Sequence, residues 1–142
     1  MSNRNRPIHG FLVDPYAQKI TRVEFPGFGT RDMLNWMYQM TECEIVEASY
    51  FDENGDAAFV DEEGLINGKP LTHFFYIEGM SSPCLGKGLV LGCDDAGNSV
   101  SPRCTLEWLQ SNTAFVERLM PGVIAVASPI SMADRVRGMF AR

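Results

Sequence analysis

The stretch EIVEASYFDENGDAAFVDEEGLINGKP, Glu44 to Pro70, carries the pattern that decides the fold. Val46, Ala48 and Tyr50 alternate with Glu47 and Ser49, the period of a strand with one face in a core and the other toward water. Asp52-Glu53-Asn54-Gly55 follows, and apolar residues resume from Ala57 to Val60. An aspartate side chain accepts from turn amides, and glycine takes a positive φ without a Cβ penalty. The four residues therefore predict a type I turn closed by a glycine bulge between antiparallel strands. The same D-x-x-G spacing recurs at Asp61 to Gly64 and Asp94 to Gly97, each beside an apolar run. Repeated corners of this kind favour a meander of antiparallel strands over alternating strands and crossover helices.

Working outward, Ile8 to Val13 reads as a strand, Asp14-Pro15-Tyr16-Ala17 as a type I turn, and Lys19 to Phe25 as the returning strand. Pro26 to Gly29 breaks the pattern. Thr30 then precedes Met33, Trp36, Met37 and Met40 at helical spacing, which predicts a helix over 31–40 with a methionine-rich stripe on the sheet. His73 to Ile77 is apolar on both faces, as expected of the middle strand of the sheet. In the strand Gly88 to Cys93, Gly88, Val90 and Gly92 share a face, and glycines there leave room for another backbone or a ligand. Thr105 to Gln110 predicts a short helix with Leu106 and Leu109 inward, and Val123 to Ala127 is strand or helix by period, tilted to strand by its branched residues. Ser131 to Asp134 has the S-x-x-D spacing of a capping box before Val136, Met139 and Phe140, so a terminal amphipathic helix is expected, with Arg135 and Arg137 available to dock on an acidic surface.

A chain of 142 residues with 45% hydrophobic and 21% charged residues fits one domain with a real core. Residues 1–7 read as a loose tail and 8–142 as one α+β domain. The net charge of −6 is concentrated, because no Lys or Arg falls between Arg31 and Lys69. Glu47, Asp52, Glu53, Asp56, Asp61, Glu62 and Glu63 all do. Such a field repels phosphate backbones, so direct nucleic-acid binding is not expected; it suits a basic partner, or mimicry of nucleic acid toward a protein that binds it. No apolar run approaches the ~20 residues of a membrane span, and no signal-like segment opens the chain, so a cytoplasmic protein is expected. Cys43, Cys84, Cys93 and Cys104 lack C-x-x-C spacing and read as buried free thiols.

Motifs for chemistry are sparse. His9 and His73 have no Asp or Ser at a motif spacing, Ser81-Ser82-Pro83-Cys84 is no nucleophile elbow, and Gly86-Lys87-Gly88 lacks the rest of a phosphate loop. Asp52, Asn54, Asp56 and Glu63 match positions 1, 3, 5 and 12 of a calcium loop, but Ala57 stands where that loop needs glycine and both flanks read as strand. Neither a metal, a cofactor nor a catalytic residue is assigned. One ligand site remains conceivable: a pocket left by Gly86, Gly88 and Gly92 beside His73, Lys87 and Cys84.

Phe11-Leu12-Val13-Asp14-Pro15, the helix leading into Glu44-Ile45-Val46, Asp61-Glu62-Glu63-Gly64-Leu65 before Gly68-Lys69-Pro70, Gly88 to Gly92 with Asp94 to Gly97, and Leu106 to Leu109 together resemble a family of small phage- and plasmid-encoded domains of unknown function. The resemblance covers about residues 8–109. It implies a gene carried by a mobile element and transfers no catalytic residue.

These readings combine into an α+β fold, a mostly antiparallel sheet of about five to seven strands with two or three helices packed on it. The expected function is a non-enzymatic accessory protein that binds a host or phage protein through its acidic surface, countering a host defence or redirecting host machinery. A small-molecule or nucleotide binder, an enzyme included, is the alternative, with the glycine-lined pocket near His73 and Lys87 as its site. A self-associating structural or assembly protein is the third.

Overall fold

The computed structural model describes residues 7–27, 30–44, 46–61 and 70–140. The expected tail lies outside them apart from Pro7, as do Glu62 and Glu63 and most of the second Asp-to-Gly corner.

Strands β1 (His9–Asp14) and β2 (Lys19–Glu24) form the first hairpin, paired from His9 with Glu24 to Asp14 with Lys19. Asp14 Oδ1 accepts from the amides of Tyr16 (2.9 Å) and Ala17 (3.2 Å), which is how aspartate closes a turn. Helix α1 (Thr30–Thr41) follows, then β3 (Val46–Tyr50) and β4 (Ala57–Asp61), paired from Val46 with Asp61 to Tyr50 with Ala57. Their connecting turn is the one expected: Asp52 Oδ1 accepts from the amides of Asn54 (2.9 Å) and Asp56 (3.1 Å), and Gly55 sits at φ 92°. Next come β5 (His73–Ile77), β6 (Cys84–Leu85), β7 (Gly88–Cys93), β8 (Ser99–Val100), α2 (Leu106–Asn112), β9 (Thr113–Met120), β10 (Val123–Ala127) and α3 (Ile130–Phe140). The β7–β8 corner repeats the device, with Asp94 Oδ1 accepting from Ala96 and Asn98 and with Gly97 at φ 84°.

The fold class is α+β, and its strands form two antiparallel sheets where one was expected. A six-stranded sheet runs β2-β1-β7-β4-β3, with β8 paired to β7, and a four-stranded sheet runs β10-β9-β5-β6. The central strand of the larger sheet is thus β7. β5, read from its two apolar faces as the middle of a single sheet, is an inner strand of the second. Both readings share the same cause, because a strand covered on two sides is apolar on both.

Side-chain alternation shows why two sheets are needed. On β7, Leu89 and Leu91 face α1 and pack with its buried Met33, Trp36 and Met37, while Val90 faces the opposite way into the main core. Phe75 of β5 reaches that second face at Gly88, where an added Cβ would lie 2.5 Å from the Phe75 ring. Phe74, its neighbour on β5, points away and stacks edge-on against Phe140 of α3 at 5.1 Å. The order of layers is therefore α1, the six-stranded sheet, the four-stranded sheet, α3. β3 ends the larger sheet, and α1 covers only its Val46 end, so Ala48 and Tyr50, expected in the core, are exposed. α3 begins at Ile130, one residue before the capping signature, which places Ser131 inside the helix. α2 begins one residue later than expected, with Thr105 as its cap accepting from the Trp108 amide; Trp108 is exposed and lies parallel to Phe51 at 5.9 Å.

One carboxylate fixes the layers at their end. Asp56 is fully buried, and its oxygens accept from the Arg103 amide (3.0 and 3.1 Å) and the Cys104 amide (2.8 Å), tying the β3–β4 turn to the segment before α2. A buried carboxylate without donors is costly, whereas charge-assisted bonds to amides stabilise it by roughly 1.5–3 kcal/mol each. Asp56→Ala removes the acceptor of the Arg103 and Cys104 amides, so urea unfolding should show a loss of about 3 kcal/mol with an unchanged m-value. Asp56→Asn, which keeps one acceptor oxygen, should lose less.

Candidate functional site

The residues expected to line a ligand pocket are neighbours, and at Gly88 and Gly92 the chain itself takes up the space beside them. The amide of Gly86, at φ 78°, donates to the His73 carbonyl at 2.9 Å. His73 Nδ1 shares a hydrogen bond with Thr72 Oγ1 (2.8 Å), its Nε2 lies 3.6 Å from Glu117 Oε1, and Tyr16 lies across its ring at 4.7 Å. Lys87 donates to Glu42 Oε1 at 2.8 Å, a bond that holds its pKa above the ordinary value. The notch at Gly88 is filled by Phe75. At Gly92 an added Cβ would lie 2.7 Å from the Ser101 carbonyl and 3.2 Å from Asp56 Oδ1, so the chain itself crosses there. The glycines of β7 serve close packing between segments, one of the two uses that glycine in a strand has.

Among the described residues, fewer of the expected carboxylates stand at the surface than the sequence suggested. Asp56 is withdrawn into the interior by the Arg103 and Cys104 amides. Asp52 is half-buried and closes its own turn, and Asp61 is half-buried at the end of β4. The calcium-like spacing is explained by the same turn, and among the described residues no group of three or more His, Cys, Asp or Glu side chains is placed to hold a metal. Glu44, Glu47 and Glu53 remain exposed along or beside β3, with Tyr50 (58% exposed) between them. They stand at the edge of the six-stranded sheet, since among the described residues β3 has only β4 as a strand neighbour and ends the strand order.

A second feature was not anticipated. β9 and β10 form a hairpin, and a cleft of about 830 Å³ opens between its far end and the end of α3, reaching Thr72, Arg118, Val123, Arg137 and Phe140. The Arg118 guanidinium lies over both the Phe74 ring (5.5 Å) and the Phe140 ring (5.8 Å). Arg137 Nη1 donates to the Ile124 carbonyl at 3.3 Å. Arg135, which the sequence offered as a dock for acidic residues, pairs with Glu78. The sequence signal for the cleft was Pro121-Gly122 between two runs of branched residues, a hairpin turn that only the assignment of Thr113 to Met120 as strand makes visible.

Comparison with known proteins adds a family and nothing more specific. Residues 8–111 match the family described as Domain of unknown function (DUF3846), a span from the start of β1 into α2 that leaves β9, β10 and α3 outside it. No curated protein and no solved structure matches the chain. Among the described residues, no helix is long and apolar enough to cross a membrane.

All four cysteines are free thiols, half-buried where full burial was expected. Burial, and then the Asp56 carboxylate beside it, push the Cys104 thiol up from 9.0 to about 12; burial also raises Cys84. The thiolate is the nucleophile, so below pH 9 a thiol near 12 offers far less of it than an unfolded one. At pH 8.5, iodoacetamide should label Cys104 at least about tenfold more slowly in the native protein than in urea, read by peptide mass spectrometry. A folded pKa above the unfolded one favours the protonated native state, so this contribution to stability is complete below pH 9 and is lost as pH rises from 9.0 toward 12.

Proposed function

The chain belongs to the DUF3846 family, and from that premise we propose that it is a non-enzymatic accessory protein of a phage or similar mobile element, which binds a host or phage protein through the acidic edge of its larger sheet. The observation that carries this reading is the free edge at β3. Glu44, Glu47 and Glu53 are exposed there around Tyr50, in a stretch with no lysine or arginine between Arg31 and Lys69, and Arg103 reaches the neighbouring turn at the Asn54 carbonyl (2.9 Å). An edge strand offers unpaired backbone groups, an exposed tyrosine offers a large apolar surface with a polar tip, and carboxylates speed encounter with a basic partner. Countering a host defence or redirecting host machinery is the role such binding would serve. The alternative, a ligand held among Gly86, Gly88, His73 and Lys87, is less favoured, because Phe75 packs at Gly88 and Lys87 donates to Glu42.

Glu47 and Glu53 are exposed, so reversing them should leave the fold intact. Affinity capture from bacterial lysate with the wild type should recover one protein reproducibly. The Glu47→Lys/Glu53→Lys variant should lose it, and raised salt should weaken it. Capture that is insensitive to both changes, or no capture at all, counts against the reading.

A further inference from the structure

The cleft between the β9–β10 hairpin and the end of α3 has the opposite character to the β3 edge. The chain as a whole carries −6, yet Arg118 and Arg137 both line this cleft, and among the described residues neither has a carboxylate within ion-pair distance. Arg118 is held in place by the faces of Phe74 and Phe140. Stacking of this kind fixes the plane of a guanidinium while leaving its N–H edge free to meet a carboxylate in two parallel bonds. Arg137 donates to a backbone carbonyl, which does not neutralise its charge.

The rim is apolar. Leu119 (56%), Met120 (59%) and Val123 (42%) are exposed together around the Pro121-Gly122 turn. Three large apolar side chains clustered at one hairpin end mark an interaction site more often than scattered exposure does. The cleft's volume of about 830 Å³ lies within the range of ligand sites, roughly 300–1,000 Å³, and is open enough to admit a chain.

We propose that this cleft binds an extended peptide segment of a partner protein in which an acidic residue stands next to a large apolar one, the carboxylate on Arg118 and Arg137 and the apolar side chain on Leu119, Met120 and Val123. A free carboxylate alone would leave the rim exposed, and an uncharged apolar peptide would leave two guanidiniums desolvated without a counter-charge, which is unfavourable. The site is independent of the acidic β3 edge: it selects the opposite charge and stands on the other sheet.

The test is selection from a displayed library of random ten-residue peptides on the full-length protein, followed by fluorescence anisotropy of the best sequence. Enriched peptides should place Asp or Glu within two positions of Leu, Ile, Met or Phe. Affinity should fall at least about tenfold for Arg137→Glu and clearly for Leu119→Ser, both exposed positions at which folding should survive. Arg118→Gln should do the same, with thermal melting showing whether its loss of stacking disturbs α3. The Glu47→Lys/Glu53→Lys variant should bind the peptide as the wild type does, which separates this site from the β3 edge. No enrichment, enrichment without acidic residues, or equal affinity for Arg137→Glu overturns the proposal. So does cosedimentation with phosphatidylserine vesicles that the selected peptide fails to compete, which would make the hairpin end a lipid contact.

Discussion

The insertion of Phe75 into the notch at Gly88 is the contact on which the two-sheet arrangement depends. β7 lies at the centre of the larger sheet with both faces covered: α1 on the Leu89 and Leu91 side, and the second sheet on the side of Gly88, Val90 and Gly92. A side chain at position 88 would meet the Phe75 ring at 2.5 Å, so the close approach of the sheets requires its absence. The same logic applies at Gly92, where the backbone of Ser101 and Pro102 crosses β7, just before the Arg103 and Cys104 amides that hold Asp56. A fully buried Phe stabilises by roughly 1.5–3 kcal/mol, and glycine opposite is what allows that burial.

That contact also decides what the glycines mean for function. Glycine within a strand signals close approach without saying of what, and both candidates, a ligand and another part of the chain, fit the sequence equally. The answer lies in Phe75, thirteen positions before Gly88, which no local pattern links to that glycine, and in Ser101, which follows the β7–β8 hairpin back across Gly92. Asp56 is a similar case. It sits in an acidic run and looks like one more solvated carboxylate, but its partners are amides 47 and 48 positions away. Short-range chemistry, by contrast, was legible. Asp14, Asp52 and Asp94 each bond amides within four residues, so the corners could be read directly, and the α1 stripe of Met33, Trp36 and Met37 follows from helical period alone. The β9 segment, TAFVERLM, follows α2 with no turn residue between them and has charged residues in both alternating positions, which conceals its strand character.

What emerges is a scaffold with two free edges of contrasting charge. The β3 edge of the larger sheet carries carboxylates around Tyr50; the end of the β9–β10 hairpin in the smaller sheet carries arginines beside exposed Leu119 and Met120. The interior between them is largely apolar; of its buried polar residues Thr41 bonds the Met37 carbonyl and Asp56 its two amides, while the Thr113 hydroxyl has no hydrogen-bond partner among the described residues.

The most direct test of this packing is a double-mutant cycle between Gly88 and Phe75, read by urea unfolding. Gly88→Ala should cost about 2 kcal/mol, in the range of overpacking, and in a Phe75→Leu background, where the distal ring atoms are gone, that cost should shrink by more than about 1 kcal/mol. An equal cost in both backgrounds, or a neutral Gly88→Ala, would mean that Phe75 does not occupy the notch and that the space beside β7 is open to something else.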